Sequence, residues 1–555
     1  MGHPSEKKMK RKREEKKDPL QKRLIKYAYI DCAGYANYGF SIRVVNVSTG
    51  EVVVKNVNYR CFNWSESLTG EKKNVFDWDK EVVGCYKKSS TGEECSVPKE
   101  FKIFSTYNLQ FGRIYIIGDD DNKIIETDEW YPIHGLLFDI RGEKKICQEF
   151  VYKNETVEFI DQPSNKIIAK HITISWSSGF EGVFMLKTLV LNLEKKFNDI
   201  IDYVNAEKNG DFDTIKRYLT KYFPVIIYLQ HMCYAPLSRI WSYYGNSFNF
   251  IKYRYLKENN GIIKNFVRTN LSSVEISKYL HHPTKQEEVT NLHIFDFSSF
   301  YPSIILEYFG QKNYSYRIHS KIIEDLLIER RKPTCTESKK RAIKLLLNAF
   351  SYGELGKKIQ GQYDIFPSNQ KFMVDIVTKG KEIMMNVEKA FVDANITVVH
   401  GNTDGIIVST TNLDKCKQIA SSFDGKWMKL IYSGSYNNGI FFSIHDYVLF
   451  QSLEDLFNFN TSAMVLKGEC FNSARTPLIV RHFFLKLVHN LFSQNRLDVM
   501  DVLHAYLNGG KFPEIYFCSI TSEKKIFQEF EVENLFYNYH SKFQEFCESK
   551  KEKKK

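Results

Sequence analysis

Two aspartates stand where a rigid backbone would present them. Asp296 closes the apolar run Leu292, Ile294, Phe295, and Asp404 lies in Gly401-Asn402-Thr403-Asp404-Gly405, between the β-rich runs Ile396 to Val399 and Ile406 to Val408. Carboxylates fixed on strand ends and gathered from distant parts of a chain can hold two divalent cations. Such a pair activates an attacking hydroxyl and neutralises phosphate charge. Between the aspartates, Lys340, Lys344 and Asn348 recur at four-residue spacing, so a helix would carry them on one face toward a polyphosphate. The chemistry implied is nucleotidyl transfer. A lone Asp at a strand end is more often a turn or cap residue, so the neighbouring elements decide its meaning.

Those elements are legible. The run from Leu292 reads as a strand ending at Asp296, and the two runs around Asp404 read as a hairpin with the carboxylate at its tip. Lys321 to Arg331 reads as a helix that Pro333 breaks, and Ser338 to Tyr352 as a second, so the two should form an antiparallel helical hairpin. Phe372 to Phe391 places Met373, Ile376, Val377, Gly380, Ile383, Met384 and Val387 on one face of a third helix. Nearer the start, Ile25 to Val54 alternates as a strand pair. Residues 60 to 130 are polar with short strands and the acidic turn Asp119 to Asp121. Helical patterning follows at Met185 to Val204 and Thr214 to Tyr234, and again at His482 to Leu491.

At 555 residues the chain calls for several domains, and 43% hydrophobic with 15% aromatic residues supplies their cores. Basic residues outnumber acidic ones 78 to 66, a net charge of +12 that favours a polyanionic partner. The run Lys7 to Lys17 and the end Lys550 to Lys555 cannot bury apolar surface and read as basic tails, the first a candidate nuclear address. The eleven cysteines form no CxxC pair, so neither zinc nor a disulfide framework is expected. No signal peptide and no apolar run of membrane-spanning length is seen, and the start lacks the Ser or Thr needed for myristoylation, having Glu6 instead. An intracellular protein fits these features.

The residues around the aspartates carry a resemblance. Asp296-Phe297-Ser298-Ser299-Phe300-Tyr301-Pro302-Ser303 resembles motif A of family B DNA polymerases (DFxSLYPS), with Phe300 in place of Leu. Lys344 with Asn348, then Tyr352-Gly353 and Gly356, resembles motif B (KxxxNSxYGxxG), with one residue too many between Asn348 and Tyr352. Gly401 to Gly405 resembles motif C (YGDTDS), with Asn402 where the first Asp belongs, and Leu326-Leu327 with Arg330 matches the LLxxR helix. His445-Asp446-Tyr447 stands where the family has KxY, and Lys467-Gly468 resembles its KG step. The clear likeness spans residues 285 to 410.

This resemblance implies a mixed α/β and α+β multidomain protein, a right hand of palm, fingers and thumb preceded by an RNase H-like domain of exonuclease type. Its expected divisions are a basic tail at 1–24, an exonuclease-like domain at 25–258, palm at 259–310 and 358–452, fingers at 311–357, thumb at 453–545 and a basic tail at 546–555. By the same resemblance Asp296, Asp404 and the Phe297 carbonyl would bind two Mg²⁺ ions, with Mn²⁺ able to substitute. Phe297, Ser299, Tyr301, Arg330, Lys344, Asn348 and Tyr352 would meet the nucleotide, Tyr301 excluding a 2′-hydroxyl. Tyr447, Lys467 and Gly468 would touch DNA. Primer-template DNA and dNTPs are the implied partners, with an accessory or priming protein and no membrane.

The exonuclease motifs look eroded. Asp31 in Tyr29-Ile30-Asp31-Cys32-Ala33 resembles the first, with Ala33 for Glu; Gly112 and Tyr222 stand where the second and third want Asp. A fold that no longer proofreads is expected. Motifs A and B lie close together, without room for the insertions of some relatives, while the compact length suits a viral or mobile-element enzyme of the protein-primed branch. Two readings stand: an active polymerase, and a catalytically decayed one kept as a DNA-binding or scaffolding protein. A reverse transcriptase or RNA polymerase fits less well, because Tyr-Pro-Ser after Asp296 and the Lys/Asn helix belong to family B.

Overall fold

The computed structural model describes residues 24–58 except 36–38, 62–64, 95–97, 109–118, 124–139, 147–160, 172–176, 183–258 except 195–196 and 243–246, 269–270, 278–281, 288–310, 317–353, 359–360, 370–494 except 443–444, 459, 461–462, 469–470 and 472–475, then 518–520 and 526–528. The expected tails (but for Leu24), the acidic turn at 119–121 and the boundary near 259–261 lie outside these residues.

Three sheets organise the chain. The first is antiparallel, with β1 (Leu24–Tyr35), β2 (Gly39–Asn46), β3 (Val52–Asn58), β4 (Arg113–Gly118) and β5 (Ile124–Trp130) in the order β3-β2-β1-β4-β5. The second is mixed: β6 (Ile133–Phe138), β7 (Cys147–Lys153), β8 (Thr156–Ile160), β9 (Ile172–Ser175) and β10 (Phe184–Met185) in the order β8-β7-β6-β9-β10. Its first three strands pair antiparallel and the last two join in parallel. Asp31 lies on β1 of the first sheet, whereas the acid that follows the central strand of the mixed sheet is Asp139.

Helices α1 (Leu186–Leu193), α2 (Phe197–Asn209) and α3 (Phe212–Cys233) follow. Asp211 caps α3 by accepting the Thr214 N–H at 3.2 Å, and Tyr234 ends it in a left-handed conformation. Then α4 (Leu237–Ser242) and α5 (Ser247–Glu258) lead toward the third sheet.

That sheet has seven antiparallel strands: β11 (Leu280–His281), β12 (Glu288–Phe297), β13 (Thr397–Asn402), β14 (Gly405–Ser409), β15 (Leu430–Phe441), β16 (Tyr447–Phe450) and β17 (Met464–Lys467). Their order is β11-β13-β14-β12-β15-β16-β17, which puts β12 in the middle. Because β17 pairs with β16, the division expected at 452 falls inside this sheet. Between its strands are inserted α6 (Phe300–Ile304), α7 (Arg317–Arg331), α8 (Glu337–Asn348), α9 (Gln370–Asp393) and α10 (Leu413–Ser421). Downstream, α11 (Leu453–Phe457) and α12 (Leu478–Gln494) continue the helical pattern.

The helical hairpin forms for local reasons. Pro333 lies in the turn after α7, and Thr336 caps α8 by accepting the Lys339 N–H at 3.4 Å. Glu329 ties the turn together, pairing with Lys332 and Lys339 at 2.5 Å each. After Asn348 the chain makes a π-helical turn, Ala349–Gly353. A π turn takes up an inserted residue, and it falls where the sequence has one residue more than motif B. Helix α9 buries the face the sequence predicts, adding Phe372 and Phe391 at its ends.

One buried cluster runs from Tyr29 through α3 and the helical hairpin to Leu430. Arg341 on α8 donates to the Leu193 carbonyl at 2.9 Å and lies over the Tyr222 ring, so the hairpin rests on the N-terminal helices. No helix among the described residues is long and apolar enough to cross a membrane.

Candidate active site

Strand pairing brings the two aspartates together. Asp296, one residue from the end of β12, is registered opposite Gly405, and the Phe297 N–H donates to the Asp404 carbonyl at 2.8 Å. The turn itself is tight. Thr403 is left-handed (φ 53), its hydroxyl donates to the Asn402 side-chain oxygen at 2.9 Å, and the Asp404 N–H donates to the Asn402 carbonyl at 2.6 Å. A Cβ built at Gly405 would come within 2.1 Å of Asp296 Oδ1, so the carboxylate occupies space that any side chain at 405 would claim.

The electrostatics follow from this closeness. Burial raises the Asp296 carboxyl above its ordinary range, while the Ser433 hydroxyl and the Lys467 ammonium oppose the rise. Asp404 is also raised, first by the surrounding protein and next by the negative charge of Asp296; Lys467 and Lys344 pull the other way. Asp404 keeps solvent access at the hairpin tip even so. The pair therefore favours positive charge beside it, which Lys467 and Lys344 supply only in part. Carboxylate oxygens are hard donors, suited to Mg²⁺ or Mn²⁺, so the residues fit a divalent cation. Among the described residues no group of three or more His, Cys, Asp or Glu side chains gathers that could hold a metal. Further donors would have to be backbone, water or substrate oxygens.

Basic groups ring the pair. Lys467 ends β17 opposite Tyr447 of β16, and its charge reaches both aspartates. Burial, with the Asp296 charge adding to it, raises the Tyr447 phenol. Gly468 is left-handed (φ 106), and a Cβ there would strike Asp446, so the Lys467-Gly468 step packs on the His445-Asp446-Tyr447 segment. Lys344 is exposed on α8 but acts on Asp404, and Asn348 is exposed one turn later. Arg330, at the end of α7, donates to Ser299 Oγ at 2.7 Å, and burial lowers its pKa. Ser299 is itself left-handed (φ 55) as it turns β12 into α6.

Tyr301 lies on α6, its ring 3.4 Å from where a Cβ at Gly380 would stand; Gly380 lets α9 approach α6 this closely. The Phe297 and Phe300 rings stack at 4.8 Å. Tyr352 falls in the π turn, and its side chain lies outside the described residues. Asp296, Asp404, Lys344, Lys467 and Tyr447 are therefore brought to one place, with Arg330 and Ser299 paired beside it. Sequence reasoning did not single out Ser433, which no quoted motif contains, or Arg331. The Arg331 guanidinium donates to the Trp427 carbonyl at 2.5 Å and lies over the indole ring.

No family model and no curated protein matches the sequence. Among solved structures, the chain is similar to the family B DNA polymerase from the hyperthermophilic archaeon Pyrobaculum calidifontis, with a TM-score of 0.53 over 89% of this chain and 88% of that one. The fold is family B polymerase-like. Identity across that alignment is 13%, so the likeness is one of fold. The likeness of fold extends well beyond residues 285 to 410.

Proposed function

We propose that this chain is a DNA-directed DNA polymerase adding dNTPs to a primer 3′ end. The observation that carries this reading is the convergence of Asp296 and Asp404, tied by the Phe297–Asp404 backbone bond, in a chain of family B polymerase-like fold. Asp296 and Asp404, with the Phe297 carbonyl, would hold divalent ions. Those ions would supply Lewis acidity and charge neutralisation at the reacting phosphate. The protein's own groups bind and orient: Arg330, braced by Ser299, and Lys344 offer fixed positive charge to a triphosphate. Asn348, one turn on from Lys344, adds a hydrogen-bonding amide to that face. Tyr447 and Lys467 offer a phenol and an ammonium to the primer strand beside the carboxylates. In this scheme the seven-stranded sheet is the palm, α7 and α8 the fingers, α12 after β17 part of the thumb, and the mixed sheet with Asp139 a former exonuclease.

Primer extension on a defined template, with dNTPs compared against rNTPs, tests the assignment. The wild type should extend with dNTPs in the presence of Mg²⁺ and discriminate strongly against rNTPs. Tyr301→Ala should keep dNTP extension while relaxing that discrimination by about 100-fold, since an aromatic edge that rejects one hydroxyl is worth a few kcal/mol. Unchanged discrimination in Tyr301→Ala would remove this tyrosine from the sugar site. A second reading, a decayed polymerase that binds DNA without copying it, draws on Asn402 at an expected acid position, its amide oxygen engaged by Thr403. That protein would retard primed DNA in a salt-sensitive manner and incorporate nothing.

A further inference from the structure

The hairpin that carries Asp404 is held from its outer side by a strand too short to hold anything alone. β11 is two residues long and sits at the edge of the seven-stranded sheet, pairing Leu280 with Asn402 and His281 with Gly401. Just before it, the Tyr279 carbonyl accepts the Thr403 N–H at 3.1 Å, the amide next to Asp404. The buried Tyr279 ring packs on the hairpin, so close that a Cβ at Gly401 would fall 2.5 Å from it. Two residues of ladder are a weak grip on a turn whose Thr403 is already in a disfavoured left-handed conformation.

What reinforces the grip is Glu388 on α9. One carboxylate oxygen accepts the Tyr279 hydroxyl at 2.8 Å, and the other meets His281 Nδ1 at 2.7 Å. A single side chain therefore bridges both ends of the three-residue segment Tyr279 to His281. The bridge leads into α9, the helix whose other contacts include Phe300 and Tyr301 of the segment after Asp296. Helix α9 thus touches the supports of both aspartates.

We propose that Tyr279, His281 and Glu388 form a positioning clamp that fixes the Asp404 hairpin tip, acting through the Thr403 amide, and so sets the affinity of the Asp296–Asp404 pair for divalent cations. The inference rests on the two-carboxylate reading of the site. None of the three residues touches the reacting groups. Their effect should fall on metal affinity and spare the nucleotide, because Arg330 and Lys344, the groups assigned to the triphosphate, stand on α7 and α8.

The test compares wild type with Tyr279→Phe, Glu388→Ala and Glu388→Gln. In Tyr279→Phe and Glu388→Ala the Mg²⁺ concentration for half-maximal primer extension should rise about 10-fold, the scale seen when groups behind metal ligands are removed. The dNTP KM at saturating Mg²⁺ should stay near wild type. Glu388→Gln, which still offers an oxygen to the Tyr279 hydroxyl, should recover part of the loss. The double variant Tyr279→Phe/Glu388→Ala should be no worse than Glu388→Ala, because the two changes break one shared bond. A metal-free measurement runs beside these: backbone hydrogen exchange at residues 401–405 should quicken in Tyr279→Phe and in Glu388→Ala. Wild-type exchange at the hairpin together with an unchanged Mg²⁺ requirement in Tyr279→Phe, which deletes one hydroxyl and keeps the core, would overturn the clamp. If the wild type fails to extend any primer, the polymerase reading falls. The exchange data and Mn²⁺ titration of the Asp404 site then decide the clamp alone.

Discussion

Asp404→Asn is expected to cut primer extension on the order of a thousand-fold or more while making the metal-free protein more stable, not less. The loss follows from the role of a carboxylate shared by catalytic cations, whose removal is felt only where charge develops in the transition state. The gain follows from the same geometry. Asp296 and Asp404 are held close by the Phe297–Asp404 backbone bond, and each carboxyl is raised above its ordinary range, Asp404 partly by Asp296 itself. Replacing one charge by an isosteric amide removes that repulsion. The folded state keeps the Asp404 proton to higher pH than the unfolded chain does. Stability of the metal-free wild type should therefore decline as pH climbs from the ordinary aspartate range through the raised one. Melting curves in chelator across that window should show a smaller decline for Asp404→Asn, and added Mg²⁺ should stabilise the wild type but not the variant. A variant that melts lower than wild type in chelator at neutral pH would contradict the assigned crowding of charge.

Gly405→Ala should also damage catalysis, for a purely spatial reason. Its Cβ would stand 2.1 Å from Asp296 Oδ1, with Asp296 on the central strand and Gly405 in register across from it. Neither backbone can move away without breaking the β12–β14 ladder, so the carboxylate must rotate. A displacement of about 1 Å at a reacting centre costs on the order of a hundred-fold in rate. Gly405 does not need a left-handed conformation, so the variant should fold with little loss of stability. Activity that survives in Gly405→Ala at wild-type level would mean that Asp296 points elsewhere during turnover. Steady-state primer extension, read against circular dichroism of the same preparation, separates the two cases.

How far the sequence foretold all this depends on the range of the interactions. The face of α9 and the two helices around Pro333 were legible, because helical periodicity and breakers act within a few residues. The Asp404 hairpin was legible from its two β-rich runs and glycine-flanked turn. In the N-terminal sheets the strand pair from Ile25 was legible, but the order of the strands was not. Tyr29-Ile30-Asp31 and Leu137-Phe138-Asp139 are both apolar runs that end in aspartate, and only strand pairing reveals that the second leads out of the centre of the mixed sheet. β11 was invisible for a related reason: two residues cannot display alternation, and their partner lies more than a hundred residues away. The supports of the site, Ser433, Tyr279 and Glu388, belong to no motif, since each works through a contact that long-range folding creates.

The unbroken apolar cluster from Tyr29 to Leu430 bears on how this protein can be cut down. Beneath α8, in the half of the chain that bears Asp296 and Asp404, Arg341 and Lys339 lean on Tyr222 and Tyr228 of a helix that precedes the whole site. A fragment beginning after residue 258 would bare that greasy flank to water and should precipitate, so any shortened form must carry the front half along.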